Sequence, residues 1–208
     1  MLVRTLLFAF ICSSFIGPLK EPDGSTTFRD NSIHYSFSYP ADYKNRSVSS
    51  RRPAGDFPSR AAELSERITD CLAIPVAAVR PTDGGLFDMV MIMDVDLKCA
   101  NESLSKNGLV LFANGIASKI LTQHGTSEVG PVKTFKLAGH DAVYMTESVD
   151  ESAKKPGRSL GGGLVCTLVE NHAVCWQMLS YHPETLQGLL ALPVSFDGQP
   201  AEPLLPAR

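Results

Sequence analysis

Polar and apolar side chains alternate along residues 34–40, HYSFSYP, near the start of the chain. Tyr35, Phe37 and Tyr39 fall on one side of an extended backbone, and the polar residues between them fall on the other. This period of two predicts a strand with one buried, aromatic face. Asp30 and Asn31 precede the strand as turn residues, so we expect a hairpin with residues 26–29.

Two other segments repeat their apolar residues at spacings of three and four, which predicts helices with an apolar stripe. The first runs from Pro58 to about Cys71. The second covers residues 103–123, where two adjacent stripes form a face wide enough to lie flat on a sheet. Pro183 and Glu184 predict the start of a short last helix that ends at about Leu190.

Six further segments predict strands from their apolar content and from the turn residues between them: residues 73–80, 86–97, 131–137, 140–149, 164–169 and 173–180. Residues 193–196 are expected to return to the sheet. Most neighbours in this order are joined by short turns, so the sheet should be mainly antiparallel. With helices packed on its faces, this is an α+β domain, which we predict to be a helix–sheet–helix sandwich.

Near the start of the chain, Arg4 precedes an apolar run that ends in small residues. This arrangement is typical of a secretory signal peptide. The run is too short to span a bilayer comfortably, and no other segment approaches that length. We predict a signal peptide over residues 1–17, a linker over 18–26, one domain over 27–197 and a flexible tail over 198–208. The protein is expected to be exported, either periplasmic or secreted. Lipid anchoring at Cys12 is the less favoured alternative, because Phe10 and Ile11 are bulky where that signal has small residues.

Composition narrows the function classes. Hydrophobic residues make up 44% of the chain and charged residues 20%, which is ordinary for a globular protein and argues against disorder. The net charge is -3 and the basic residues form no longer run than a pair, which argues against a nucleic-acid binder. Nucleophile-elbow, metalloprotease and phosphate-loop motifs are absent from the sequence. We therefore assign no catalytic residue, metal or cofactor.

Four cysteines lie beyond the predicted signal peptide: Cys71, Cys99, Cys166 and Cys175. In an exported chain an even number favours two disulfides, which four cysteines can form in three ways. A two-residue turn at residues 170–171 sets Cys166 opposite Cys175 on a non-hydrogen-bonded pair of a hairpin, where side chains approach most closely. By elimination, Cys71 pairs with Cys99.

A structural disulfide is preferred for Cys166 and Cys175 over a redox switch, which would need a strained and exposed bond. A metal site with His172 is not favoured, because eight residues separate the cysteines and His172 should point to the other face of the hairpin. Trp176 follows Cys175 directly, so it should pack on the face opposite to the disulfide.

Asp94 and Asp96 share one face of a predicted strand, and Asp88 lies near the start of that strand. Alternating carboxylates bind hard cations or act as an acid–base pair. A partly solvated strand face explains them as well, and we prefer that interpretation. Surface or capping roles are preferred for the five scattered histidines, which are His34, His124, His140, His172 and His182. The glycine-rich residues 157–163 lack the strand–loop–helix context of a phosphate site, so they predict a mobile hairpin loop.

Several short motifs resemble the PsbP-like superfamily. The strand Tyr35–Pro40 followed by Asp42 and Tyr43 is similar to the opening of PsbP-like domains, and so is the end at Pro193–Phe196. Residues 173–176, AVCW, look most like exported bacterial members with paired cysteines and no known function. By element order the resemblance covers residues 27–197. It implies the fold and a tendency to bind partners, and no functional residue of the photosynthetic members can be placed here.

Three hypotheses follow. The first is an exported, disulfide-stabilised PsbP-like module that binds a protein or small-molecule partner in the cell envelope or serves as an accessory subunit. The second is a small metal-dependent hydrolase that uses Asp94, Asp96 and a histidine, which requires these side chains to converge in a concave pocket. The third is an envelope scaffold with a broad apolar patch. We prefer a binding or accessory role to catalysis.

Overall fold

The computed structural model of the chain describes residues 19–20, 24–46, 70–122, 127–150, 158–197 and 199–206. The predicted signal peptide with Cys12 lies outside these residues, and so do His124 and the predicted helix from Pro58 as far as residue 69. Within the described ranges, no helix is long and apolar enough to cross a membrane.

The described residues contain thirteen strands, two α-helices and a 3₁₀ turn at Asp83–Gly85. The strands are β1 (Leu19–Lys20), β2 (Ser25–Asp30), β3 (Tyr35–Pro40), β4 (Lys44–Asn45), β5 (Leu72–Thr82), β6 (Leu86–Asp96), β7 (Ser127–Val129), β8 (Lys133–Leu137), β9 (His140–Asp150), β10 (Ser159–Val169), β11 (His172–Ser180), β12 (Pro193–Phe196) and β13 (Glu202–Pro203). The helices are α1 (Lys106–Thr122), between β6 and β7, and α2 (Pro183–Leu190), between β11 and β12.

The strands form two sheets, and every pairing between described strands is antiparallel. The larger sheet has the order β4-β5-β6-β11-β10-β9-β7, and β8 also pairs with β9. The smaller sheet has the order β1-β2-β3-β12-β13. The predicted antiparallel character is therefore correct, and β10 and β11 form the centre of the larger sheet.

Helix α1 lies on one face of the larger sheet. Its buried side chains follow the helical period and pack against strands β6, β9, β10 and β11: Leu109, Phe112, Ala113, Ile116 and Ala117. The Ser105 hydroxyl accepts a hydrogen bond of 3.2 Å from the Gly108 amide, so it caps the start of the helix. We refer to these residues and the sheet residues under them as the α1 core.

The smaller sheet and α2 cover the opposite face of the larger sheet. The aromatic face predicted for β3 is buried there, with Tyr35, Phe37 and Tyr39 packed against Trp176 and its neighbours. Leu189 and Leu190 of α2 belong to the same cluster. We refer to this second cluster as the sheet–sheet core.

The predicted helix–sheet–helix sandwich is therefore wrong. The layers are α1, the larger sheet, and a second layer made of the smaller sheet with the short α2. The reason is that a period of two shows that β3 has a buried face but not which layer buries it. The predicted hairpin of residues 26–29 with β3 is confirmed as the β2–β3 pair, but β3 and β12 form a sheet separate from the other predicted strands.

Paired strands also occur outside residues 27–197. Residues 19–20, in the predicted linker, form β1 and pair with residues 26–27 of β2. Residues 202–203, predicted as tail, pair with β12, and Leu204 beside them is fully buried. Both strands contain only two residues and lie at the edge of the sheet. A strand of this length shows no apolar periodicity, so the sequence does not predict it.

The glycine-rich run is part of a strand, so the predicted mobile loop is wrong where the structure describes it. Gly161, Gly162 and Gly163 lie within β10, in register with β9 and β11. A Cβ atom on Gly163 would lie 2.9 Å from a methyl group of Leu190, and one on Gly161 would lie 3.2 Å from Leu186. These two leucines are four residues apart on one face of α2. The glycines therefore let α2 pack directly on the backbone of β10.

Replacing Gly163 by alanine should lower the free energy of unfolding by about 1–2 kcal/mol, because the new methyl group overpacks the contact with Leu190. Gly188 offers a matched control, since it lies in α2 with open space around its Cα, and alanine there should stabilise the protein by about 0.5–1 kcal/mol. Urea denaturation followed by circular dichroism measures both. Equal effects at the two positions would contradict the close packing of α2 on β10.

Candidate binding site

Cys166 and Cys175 are opposite each other in the β10–β11 register and are joined by a disulfide. Their Cα atoms are 4.1 Å apart, as expected for a non-hydrogen-bonded pair. Both side chains are fully buried in the α1 core. The adjacent Trp176 points to the sheet–sheet core, where its ring contacts Tyr35 edge-on at 5.9 Å. The predicted placement of Trp176 on the opposite face is confirmed, and the burial of the disulfide gives it a structural role.

Cys71 and Cys99 form the second disulfide, with Cα atoms 5.8 Å apart. Cys71 directly precedes β5, and Cys99 lies in the turn after β6. The bond therefore ties the two ends of the β5–β6 hairpin together on the side away from its Asp83–Gly85 turn.

Replacing Cys166 and Cys175 together by alanine should lower the free energy of unfolding by about 2.5 kcal/mol, the loop-closure entropy of a disulfide that spans about ten residues. The difference in urea midpoint between the double variant and the oxidised wild type measures the loss. Wild-type protein unfolded in dithiothreitol, in which both disulfides are reduced, gives the value with neither bond. An unchanged midpoint in the variant would show that this bond adds nothing to the hairpin.

The Asp94 side chain is hydrogen-bonded to His172. Its Oδ1 atom lies 2.8 Å from Nδ1 of His172, and both side chains are mostly buried at the end of the β6–β11 pair. Burial raises the pKa of the Asp94 carboxyl, and the hydrogen bond from His172 opposes that rise. Nearby, the fully enclosed Tyr35 hydroxyl has its pKa raised by burial first and then by the negative charges of Asp94 and Asp30.

The remaining members of the predicted hydrolase site lie elsewhere. Asp96 shares the strand face of Asp94 as predicted, but its Oδ1 atom accepts a hydrogen bond of 2.9 Å from the Cys99 amide and so stabilises a turn. His140 packs on the Phe196 ring at 4.9 Å, His34 adopts a positive φ in the β2–β3 turn, and His182 precedes α2. Among the described residues, no three histidine, cysteine or carboxylate side chains are grouped as a metal ion would require.

Asp88 is the centre of a buried polar network between the layers. Its side chain has no exposed surface, and its Oδ2 atom lies 2.6 Å from the Arg80 guanidinium. Its Oδ1 atom accepts a hydrogen bond of 2.6 Å from the Ser180 hydroxyl. Arg80 also reaches Asp42 at 3.3 Å and lies over the Tyr43 ring. The network thus joins β5, β6 and β11 to the segment that follows β3.

Glu147 is buried on the α1 side of the larger sheet. The Gln177 amide donates a hydrogen bond of 2.5 Å to its Oε2 atom. Burial raises the pKa of the Glu147 carboxyl to about 7, although this hydrogen bond works in the other direction. Gly162 lies beside it in β10, and a Cβ atom there would come within 3.0 Å of the carboxylate. Glu147 is therefore held in a space that only a glycine leaves open.

A cavity opens beside α2 on the side of the larger sheet that faces the smaller one. Its volume is about 390 Å³, and its walls include Leu86, Arg158, Ser159, Tyr181, Pro183 and Leu186. The guanidinium carbon of Arg158 lies 4.8 Å from the centre of the Tyr181 ring. Ser180 of the Asp88 network also contributes to the wall. The site is half open, and its walls are mostly apolar with a few polar groups.

Sequence reasoning missed these three features, although two of them leave a signal. A turn at residues 83–85 places Arg80 opposite Asp88, and such a pair of opposite charges is a recognised cross-strand interaction. Glu147 occupies a position that continues the apolar row of Val143 and Met145 on one strand face, which marks a buried carboxyl. The cavity leaves no signal, because its walls come from three separate segments of the chain.

The fold and its site define a class: a two-sheet α+β domain with two disulfides, one of them fully buried, and an open, mostly apolar cavity beside α2. No protein-family model matches the sequence, and no curated protein matches it significantly.

Three solved structures align with most of this chain, at low identity and with TM-scores below 0.5. The cyanobacterial PsbP of Synechocystis sp. PCC 6803 has a TM-score of 0.45 and 10% identity, over 80% of this chain and 86% of that one. LpqN of Mycobacterium tuberculosis, which is involved in cell envelope biogenesis, has a TM-score of 0.40 and 13% identity, over 83% of each chain. The Ran-binding protein Mog1p of Saccharomyces cerevisiae has a TM-score of 0.43 and 8% identity, over 79% of this chain and 80% of that one. Likeness of this degree transfers no ligand, partner or activity to this chain.

Proposed function

We propose that this protein is an exported, disulfide-stabilised module of the cell envelope that binds a partner or serves as an accessory subunit. The observation that carries the proposal is the pair of disulfides, one of them fully buried in the α1 core. Stable disulfides form in the periplasm and outside the cell and are rare in the cytosol. The signal-like residues 1–17 agree with that location.

Binding is favoured over catalysis by the way the polar side chains are used. The Asp88 carboxylate is occupied by Arg80 and Ser180, and Asp96 is occupied by a backbone amide. These contacts hold strands and turns together rather than presenting reactive groups at a cavity. The open cavity beside α2 supplies a surface on which a small partner can be bound.

Recovery of the protein from its own cells tests this proposal. After fractionation, non-reducing mass spectrometry of the envelope fraction should find a mature chain that starts near residue 18 and is lighter by four hydrogens than its reduced form. A chain that retains Cys12 with an added lipid would assign the anchored form. Four free thiols, or a full-length chain in the cytosol, would refute the proposal.

A metal-dependent hydrolase is the second candidate, favoured by the single contact between Asp94 and His172. It requires a bound cation, so calorimetric titration with Zn²⁺ and Mn²⁺ is the direct test. Binding at micromolar concentration that is lost in Asp94→Asn would establish the cation site that this candidate requires. Titrations without binding heat would remove this candidate.

A further inference from the structure

We infer that the Cys71–Cys99 disulfide is a site of thiol–disulfide exchange, at which a dithiol oxidoreductase attacks the Cys99 sulfur. The two disulfides differ in their access to solvent. Cys166 and Cys175 are fully buried in the α1 core, whereas Cys99 is exposed and Cys71 is half-buried. Exposed disulfides are the ones that exchange with external thiols, because the attacking thiolate has to reach a sulfur atom. The inference goes beyond the proposed binding role, since it assigns a chemical step to this bond.

Cys99 lies in a turn that has hydrogen bonds of its own. The Asp96 Oδ1 atom accepts a hydrogen bond of 2.9 Å from the Cys99 amide. The Glu102 amide donates to the Leu97 carbonyl at 2.8 Å, and the Ala100 amide donates to the Asp96 carbonyl at 3.0 Å. These bonds close the turn around Cys99, so its sulfur keeps its place when an incoming thiolate attacks it.

Cys71 lies next to a short segment that is set apart from the rest of β5. In the register that the structure describes, Leu72 and Ala73 pair with β6, and an irregularity between Ala73 and Val76 then interrupts the pairing. Pro75 lies inside this irregularity and has no N–H to donate. Beyond Val76 the pairing with β6 is continuous. The disulfide therefore fastens residues 71–75 to the end of β6.

Reduction would act on this segment and on the core beneath it. Leu72 and Ile74 are half-buried and pack against the α1 core. Once the bond is broken, the segment can leave β6 at the irregularity, and these two apolar side chains then separate from the core. Local opening of this kind needs less free energy than unfolding of the whole domain. The bond thus couples the redox state of Cys71 and Cys99 to the exposure of part of the α1 core.

The exchange consists of two successive displacements at sulfur. A thiolate of the oxidoreductase forms a bond to the Cys99 Sγ atom, the bond between the two Sγ atoms breaks, and Cys71 leaves as a thiolate that takes a proton from water. The second thiolate of the oxidoreductase then attacks the first sulfur of the same enzyme, and Cys99 leaves in the same way. The dithiol is oxidised to a disulfide, and its two electrons reduce the Cys71–Cys99 bond to two thiols.

Limited reduction of the folded protein tests the site. Protein in which mass spectrometry has counted both disulfides is treated with dithiothreitol, thiols are trapped with iodoacetamide at intervals, and the modified peptides are identified by mass. Cys71 and Cys99 should react at least about a hundredfold faster than Cys166 and Cys175, because the buried bond reacts only when its core opens. Cys166→Ala combined with Cys175→Ala is the matched control, and it should leave the rate at Cys71 and Cys99 unchanged.

Three outcomes of this experiment would overturn the inference. Equal rates for the two bonds, or a faster rate in the control variant, would show that exchange requires unfolding. A Cys71–Cys99 bond that stays intact while the protein remains folded would show that the thiol cannot reach it. Each of these results leaves the envelope proposal standing, because both disulfides were counted beforehand.

A thioredoxin whose resolving cysteine is replaced by serine identifies the sulfur that is attacked. This variant cannot complete the second displacement, so it should remain joined to Cys99 as a mixed disulfide that peptide mass spectrometry locates. An adduct on Cys71, or no adduct, would overturn the assignment of Cys99.

Hydrogen exchange measured by NMR on the reduced protein tests the local release. The Asp96 amide donates to the Cys71 carbonyl at 3.2 Å, and the adjacent Leu97 amide donates to the Asn171 carbonyl at 2.8 Å. Reduction should accelerate exchange at Asp96 at least about tenfold more than at Leu97, because the released segment no longer protects it. Equal acceleration of the two amides, or no acceleration of either, would overturn the release of residues 71–75.

Discussion

Replacing Arg80 by methionine is expected to lower the free energy of unfolding by about 3 kcal/mol, the lower end of the cost of breaking a buried ion pair. The Asp88 carboxylate has no exposed surface, so without Arg80 its charge would keep only the Ser180 hydroxyl as a partner. Arg80 itself is 33% exposed, which is why the lower end applies. Methionine keeps most of the apolar length of the side chain, whereas the guanidinium that lies 5.0 Å from the centre of the Tyr43 ring is lost together with its charge.

Two further variants give this experiment its control. Lys98→Met removes an exposed lysine in the turn after β6, and it should alter the free energy of unfolding by less than about 0.5 kcal/mol. Arg80→Met combined with Asp88→Asn removes both charges and should recover most of the loss, since an amide still accepts the Ser180 hydrogen bond. Urea denaturation gives all three values. If the double variant is no more stable than Arg80→Met alone, the buried charge is not the source of the loss.

The free energy of unfolding of the wild type is expected to fall by about 3 kcal/mol between acidic and slightly alkaline solution, and replacing Glu147 by glutamine should abolish this fall. Burial raises the pKa of this carboxyl from 4.5 to about 7 in the folded protein. The folded state therefore holds the proton more tightly than the unfolded chain does. Its stabilising contribution is complete below pH 4.5 and is lost as the pH rises through about 7.

Urea unfolding at pH 5 and pH 8 measures this difference for both proteins. Glutamine keeps the acceptor oxygen for Gln177 and has no proton to lose in this range, so the variant should be the more stable protein at pH 8. Glu128→Gln is the matched control, because Glu128 is exposed on β7, the neighbouring strand. An equal pH dependence in the wild type and Glu147→Gln would contradict the buried, proton-binding state of Glu147.

Local patterns predicted much of the fold. The period of two placed β3 and its aromatic face correctly, and the turn at residues 170–171 placed Cys166 opposite Cys175. These successes share a cause, since both depend on residues close together in the chain. The wide apolar face of α1 was predicted to lie on a sheet, and it does.

Long-range arrangement was beyond the same reasoning. The pairing of β3 with β12 joins residues separated by most of the domain, and it divides the strands into two sheets. The role of Gly161 and Gly163 in β10 depends on α2, which follows later in the chain and packs over them. Asp94 and His172 come together because β6 and β11 are neighbours, which the order of strands in the sequence does not reveal.

The β10–β11 hairpin has one face in each core, and this makes its alignment critical. A slip of one residue between the strands would exchange the two faces and drive Trp176 toward α1. The bond between Cys166 and Cys175 forbids that slip covalently, because it can form only between residues that face each other. In the oxidised hairpin the register of β10 and β11 is fixed. Helix α1 and the smaller sheet therefore pack on a strand pair whose two faces cannot be exchanged.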